Sequence, residues 1–133
     1  MTRADAPLGR IPAATESVEQ QALFRWAAYS MAMHHELRWM YHIPNEGKRS
    51  MIRGAQMRQE GLKKGVPDVC LPVARGGYGA LYIEMKRTRG GQMTPEQVQW
   101  AEGLRAMGNR VERCNGWEEA VKVIEDYLRG GSK

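Results

Sequence analysis

The segment Ala80-Leu81-Tyr82-Ile83-Glu84-Met85-Lys86 constrains this chain more than any other. Its alternation of apolar and polar residues is the pattern of a β-strand. Side chains alternate across a sheet, so Leu81, Ile83 and Met85 share one face while Tyr82, Glu84 and Lys86 share the other. An acid and a lysine two positions apart therefore point the same way, on the strand expected to be central. Burying charge there is costly unless the charges are paired, hydrated in a cleft or bound to metal. Taken alone, a Glu-x-Lys pair is most often a solvated strand face with neighbouring ions.

Asp68 changes the weight of that pair. It follows Gly65-Val66-Pro67 and opens a short apolar strand, Pro67 to Pro72. The Arg75-Gly76-Gly77-Tyr78-Gly79 stretch reads as a hairpin loop between the two strands. If they pair antiparallel, Asp68 lies near Glu84 or Lys86; Gly-x-Pro-Asp is also compatible with turn chemistry alone. Two carboxylates and a lysine converging at strand ends are what metal-assisted phosphodiester hydrolysis requires. Hard oxygen ligands hold Mg²⁺ together with several waters. The metal polarises the phosphate and acidifies a water, while an ammonium group positions the nucleophile or offsets developing charge.

The remaining segments supply a frame for these strands. With 133 residues the chain is expected to form one domain, residues 15–130, behind a flexible leader at 1–14 that contains Pro7, Gly9 and Pro12. A helix begins at Thr15 or Ser17, where Ser17 and Gln20 fit a capping box; Leu23, Trp26 and Ser30 follow at helical spacing to about Met33. A strand over Arg38–Ile43 precedes the Pro44-Asn45-Glu46-Gly47 turn, and a basic helix over 51–63 closes near Gly65. Thr94, Pro95 and Gln97 mark the start of a helix whose apolar positions are Val98, Ala101 and Leu104. A last strand, Arg110–Cys114, leads to an amphipathic helix through Trp117, Ala120, Val121, Ile124 and Leu128. This order gives an α/β fold with a mixed sheet of about four strands flanked by helices.

Composition narrows the function classes. No run approaches the ~18 apolar residues of a membrane span, and no signal-peptide stretch opens the chain, so a cytoplasmic protein is expected. Cys70 and Cys114 lie 44 positions apart in apolar segments; two isolated core thiols are favoured over a disulfide, and no metal-type cysteine spacing exists. The net charge of +5 is compatible with a polyanion partner. Six basic residues fall between Lys48 and Lys64 against one acid, Glu60. Lys48, Arg49, Arg53 and Arg87 are candidate phosphate contacts, although single surface charges usually do nothing specific. Tyr41 and Tyr78 could stack on an unpaired base. His34 and His35 have no ligand-spaced partner.

Gly65-Val66-Pro67-Asp68, Glu84-Met85-Lys86 and Thr94-Pro95-Glu96-Gln97 resemble the Pro-Asp…Asp/Glu-x-Lys nuclease superfamily. They most resemble its virus-type replication-repair nuclease (VRR-NUC) family, in the small free-standing form of phages and bacteria. The similarity extends over residues 16–128, including the turn from Ile43 to Arg49 and the Gly116-Trp117-Glu118-Glu119-Ala120 helix start. It implies a restriction-endonuclease-like core. Asp68, Glu84 and the Met85 carbonyl would be metal ligands, and Lys86 would stand beside the nucleophilic water. The family's helical glutamate maps to Glu19, with Glu16 as the alternative; Glu16 also suits a purely electrostatic role at the helix N-terminus. Gln97 would support the active site, and capping by itself also explains its presence. The implied activity is a Mg²⁺-dependent DNA endonuclease, Mn²⁺ substituting. It would be structure-selective or nicking, acting on branched or flapped DNA in replication, repair or recombination, and a homodimer by analogy. A four-way-junction resolvase, an RNA-directed nuclease and a non-cleaving DNA-binding module are the alternatives.

Overall fold

The computed structural model describes residues 15–45 and 51–131. The expected leader and the candidate phosphate contacts Lys48 and Arg49 lie outside these residues. Four strands, β1 (Tyr41–His42), β2 (Val69–Leu71), β3 (Leu81–Lys86) and β4 (Arg110–Asn115), form one sheet in the order β1-β2-β3-β4. β2 pairs antiparallel with both β1 and β3, whereas β3 and β4 run parallel. Parallel neighbours need a crossover connection, supplied here by α3 (Pro95–Ala106). The sheet is thus mixed and flanked by helices, as its sequence pattern predicts.

The alternation of β3 determines which helices lie on which face. Leu81, Ile83 and Met85 enter a core with Val69, Leu71, Leu23 and Ala27 of α1 (Glu16–Ser30), and Ala120, Ile124 and Tyr127 of α4 (Trp117–Leu128). Each such fully buried aliphatic side chain contributes on the order of 1.5–3 kcal/mol. On the opposite face, Tyr82 and Val111 pack under Ala101, Leu104 and Trp100 of α3. That face carries Glu84 and Lys86 as well, so α3 roofs the charged end of the strand. α2 (Met51–Gln59) buries only Gly54 among its residues. Among the described residues no helix is long and apolar enough to cross a membrane.

Several boundaries differ from the sequence reading. The expected strand Arg38–Ile43 begins inside a 3₁₀ helix, His35–Trp39, and only Tyr41 and His42 join the sheet. Leu37 and Met40 are the buried residues there; a spacing of three matches the 3₁₀ repeat and opposes strand alternation. Thr15 caps α1 by accepting the Val18 N–H at 3.2 Å, while Ser17 lies inside the helix and bonds Gln21. The stripe that α1 buries is Glu19, Leu23 and Ala27, in place of Leu23, Trp26 and Ser30. α2 stops at Gln59, before a positive-φ Gly61, short of the expected residue 63. On α3, Val98 is exposed although Ala101 and Leu104 are buried. Tyr127, passed over in the sequence, is buried and donates its hydroxyl to the Val73 carbonyl at 2.5 Å. Cys70 and Cys114 are buried and unbridged; burial pushes the Cys114 thiol up to about 12.

Candidate active site

The β2–β3 register pairs Val69 with Ile83, and its continuation by one residue sets Asp68 beside Glu84. Residues directly opposite in an antiparallel pair point to the same face. The two carboxyls interact, the Asp68 charge acting to raise Glu84. Asp68 is fixed from the strand itself: one carboxylate oxygen accepts the Met85 N–H at 2.8 Å. Lys86 lies two residues beyond Glu84, with 3.4 Å between its ammonium and the Glu84 carboxylate. Glu84 and Lys86 are 2% and 5% exposed, so this is a buried ion pair and not a solvated strand face.

α3 completes the cluster through Gln97. Its Oε1 accepts the Lys86 ammonium at 3.0 Å and the Thr94 N–H at 2.9 Å, and its Nε2 donates to Glu84 at 2.9 Å. Thr94 returns a bond by accepting the Gln97 N–H at 3.2 Å, which closes the capping box. Capping and support of the charged pair are therefore one arrangement. The carbonyl oxygen faces the donors and the amide faces the carboxylate, as hydrogen-bond matching requires.

Burial acts on the carboxyls. Loss of water, followed by the adjacent Asp68 charge, pushes Glu84 from the ordinary 4.5 up to about 8, with Lys86 opposing the shift. Asp68 is also raised by burial, against the lowering effect of its bond to Met85. A buried carboxyl beside a half-buried one is a donor set that a divalent cation would relieve of mutual repulsion. Met85 offers a further oxygen. The carbonyls of Ala80 and Lys86 accept N–H groups of Arg110 and Gly116, so the even-numbered peptides of β3 face β4. Met85 therefore turns toward β2, where the register brings Pro67 opposite, and proline has no N–H to offer its carbonyl. Asp68, Gln97, Thr94, Gly65, Val66, Lys64 and Asn45 line a cavity of about 240 Å³ at this end of the sheet.

The expected helical carboxylate is bonded to the start of α4. Glu19 is buried, and its Oε1 accepts the Trp117 N–H at 2.9 Å, at the N-terminus of α4. There it favours the positive end of the helix, which adjoins the site through the Gly116 N–H donated to the Lys86 carbonyl at 2.8 Å. Glu16 is exposed and lines a second cavity with Asp68. Among the described residues no group of three His, Cys, Asp or Glu side chains is placed to hold one metal ion. The structure thus brings Asp68, Glu84, Lys86 and Gln97 together. Arg53, exposed on α2, faces Gln56, and Arg87 is exposed just past β3.

The VRR-NUC domain profile matches residues 14–118. The chain belongs to the VRR-NUC domain family. It also resembles a solved structure described as a VRR_NUC domain protein, with a TM-score of 0.73 and 24% identity over 91% of this chain and 93% of that one. That likeness shows a shared fold. No curated protein matches the chain significantly. The VRR-NUC match spans every residue of the cluster, and the VRR-NUC domain is of nuclease type. One residue of this VRR-NUC site escaped the sequence reading. His42 places Nδ1 2.8 Å from the Asp68 carbonyl. No spacing signal marks it, because the contact arises from the β1–β2 pairing.

Proposed function

We propose that the chain is a Mg²⁺-dependent DNA endonuclease, structure-selective or nicking, acting in DNA replication, repair or recombination. The observation that carries this reading is the pairing of half-buried Asp68 with buried Glu84, with Lys86 beside them, all held by Gln97 and the Met85 N–H. Degenerate sites lose a carboxylate or the lysine; here all three are present in one cluster. Asp68, Glu84 and the Met85 carbonyl would hold the ion, with waters and substrate oxygens filling the other positions. Bound there, Mg²⁺ supplies a polarised phosphate and a more acidic water, and Mn²⁺ substitutes.

The chain's own groups do the rest. Gln97 and Glu84 hold the Lys86 ammonium at a fixed point next to the carboxylates. From there it orients the attacking water and offsets charge that develops on the phosphate. Gln97 fixes the Glu84 carboxylate by donating to its Oε2, the oxygen that also faces Lys86. Glu19 acts at one remove, by securing the α4 terminus that receives the end of β3. Arg53 and Arg87, with Lys48 and Arg49, contact DNA phosphates, and two copies of the chain form a homodimer that grips branched or flapped DNA.

The test is cleavage of a panel of flap, fork, four-way-junction and linear DNA, with RNA alongside, in Mg²⁺, Mn²⁺ or chelator, together with solution mass. Cleavage should require the divalent ion. Glu84→Ala and Lys86→Ala should each lower it by at least about 100-fold while circular dichroism stays unchanged. Chelator-resistant cleavage, or unimpaired variants, would overturn the proposal. Salt-sensitive DNA binding without turnover under any divalent ion would identify a non-cleaving module instead.

A further inference from the structure

Asp68 stands where the ladder between β2 and β3 runs out. The next residue toward the N-terminus is Pro67, which has no N–H for β3, and Gly65 has a positive φ of 98°. The main chain of Asp68 is instead held from β1, an edge strand of two residues. Its carbonyl accepts two bonds at once, from the Ile43 N–H at 2.7 Å and from His42 Nδ1 at 2.8 Å. A side chain thus reinforces the backbone bond at the end of the shortest strand in the sheet.

We propose that His42 is a positioning residue for the cation site: its Nδ1–H fixes the Asp68 peptide and thereby the direction in which the Asp68 carboxylate leaves the sheet. This rests on the reading of Asp68 as a cation ligand. A carbonyl only accepts, so Nδ1 carries the proton in this bond. Groups that orient a metal ligand from behind typically control affinity or activity by ~10–100-fold when removed. His42 is exposed and lines a cavity of about 200 Å³ with Asp68, Glu16, Ser17, Gln20 and Asn45. Its truncation therefore opens no hole in the core.

Asparagine separates the donor from the ring. Its Nδ2 lies as many bonds from Cα as histidine Nδ1, so His42→Asn keeps the N–H and discards the imidazole. Mn²⁺ titration of wild type, His42→Ala and His42→Asn, followed by electron paramagnetic resonance, measures affinity without turnover. His42→Ala should weaken Mn²⁺ binding about 10-fold or more, and His42→Asn should stay within about 3-fold of wild type. At subsaturating metal, kcat should follow Mn²⁺ affinity while KM for DNA moves less than about 2-fold. The melting temperature of metal-free protein should change by no more than about 2 °C. Wild-type Mn²⁺ affinity in His42→Ala, or equal loss in both variants, would overturn the tether. Absence of both Mn²⁺ binding and cleavage in wild type would instead overturn the nuclease reading on which it rests.

Discussion

Gln97 serves a helix end and a charged pair with the same amide, and the two roles can be separated experimentally. Gln97→Leu removes the bonds to Thr94, Lys86 and Glu84 together, so it should lower cleavage about 10–100-fold and cost roughly 1 kcal/mol of stability. Kinetics and denaturant unfolding measure the two losses. Glu84 yields a pH prediction in chelator. Its carboxyl is raised from 4.5 to about 8 in the folded state, so between those values the native protein binds more protons than the unfolded chain. Metal-free stability is therefore fully favoured at the acid end and declines as pH rises through the window. Melting in chelator should fall between about pH 5.5 and about pH 8, and Glu84→Gln should flatten that decline. At this scale the sequence was informative where chemistry is local. The shared face of Glu84 and Lys86 follows from alternation, and the Thr94–Gln97 bond from capping spacing. Glu19 and His42 were not readable in the same way, since each finds its partner through tertiary pairing, 98 and 26 positions away.

At the element scale, Thr94→Ala is the counterpart of Gln97→Leu. It removes the hydroxyl that caps α3 while leaving the Gln97 bonds to Lys86 and Glu84. A loss of about 1 kcal/mol in unfolding free energy with cleavage largely retained is expected. Gly65 is a stricter position. It adopts φ 98°, and a Cβ there would meet the Glu96 backbone at 2.7 Å, so the loop that delivers Asp68 lies directly on the first turn of α3. Gly65→Ala should destabilise by roughly 1–3 kcal/mol through backbone strain alone, and the displaced loop should also reduce cleavage. The elements best read from sequence, β3, α3 and α4, are those whose periodicity matches one buried face. The end of the 3₁₀ helix, Arg38–Trp39, was misread as the start of a strand because the stretch is rich in strand formers, although Leu37 and Met40 are buried at a spacing of three.

For the whole molecule, the sheet joins parts of very different sequence separation around one site. Asp68 and Glu84 come from a hairpin and are braced by Gln97 of a crossover helix, so a cation binding the two carboxylates should stabilise the entire fold. At about 100 times its dissociation constant, Mg²⁺ should add about 2.7 kcal/mol, seen as a rise in melting temperature that Glu84→Ala abolishes. The global arrangement was legible because helix–strand order and one mixed sheet follow from pattern. Which helix covers which face of β3 came from the structure alone. The sheet itself is unequal: β3 is paired with β4 over its whole length and with β2 over Leu81–Ile83, whereas β1 contributes two residues at an edge. Amide hydrogen exchange should expose that inequality, with the Glu84 and Lys86 N–H groups among the slowest and those of His42 and Ile43 among the fastest in the sheet. Openings too small to unfold the domain would then part Asp68 from a carboxylate that stays in place, so the site would assemble and disassemble on its β1 side alone.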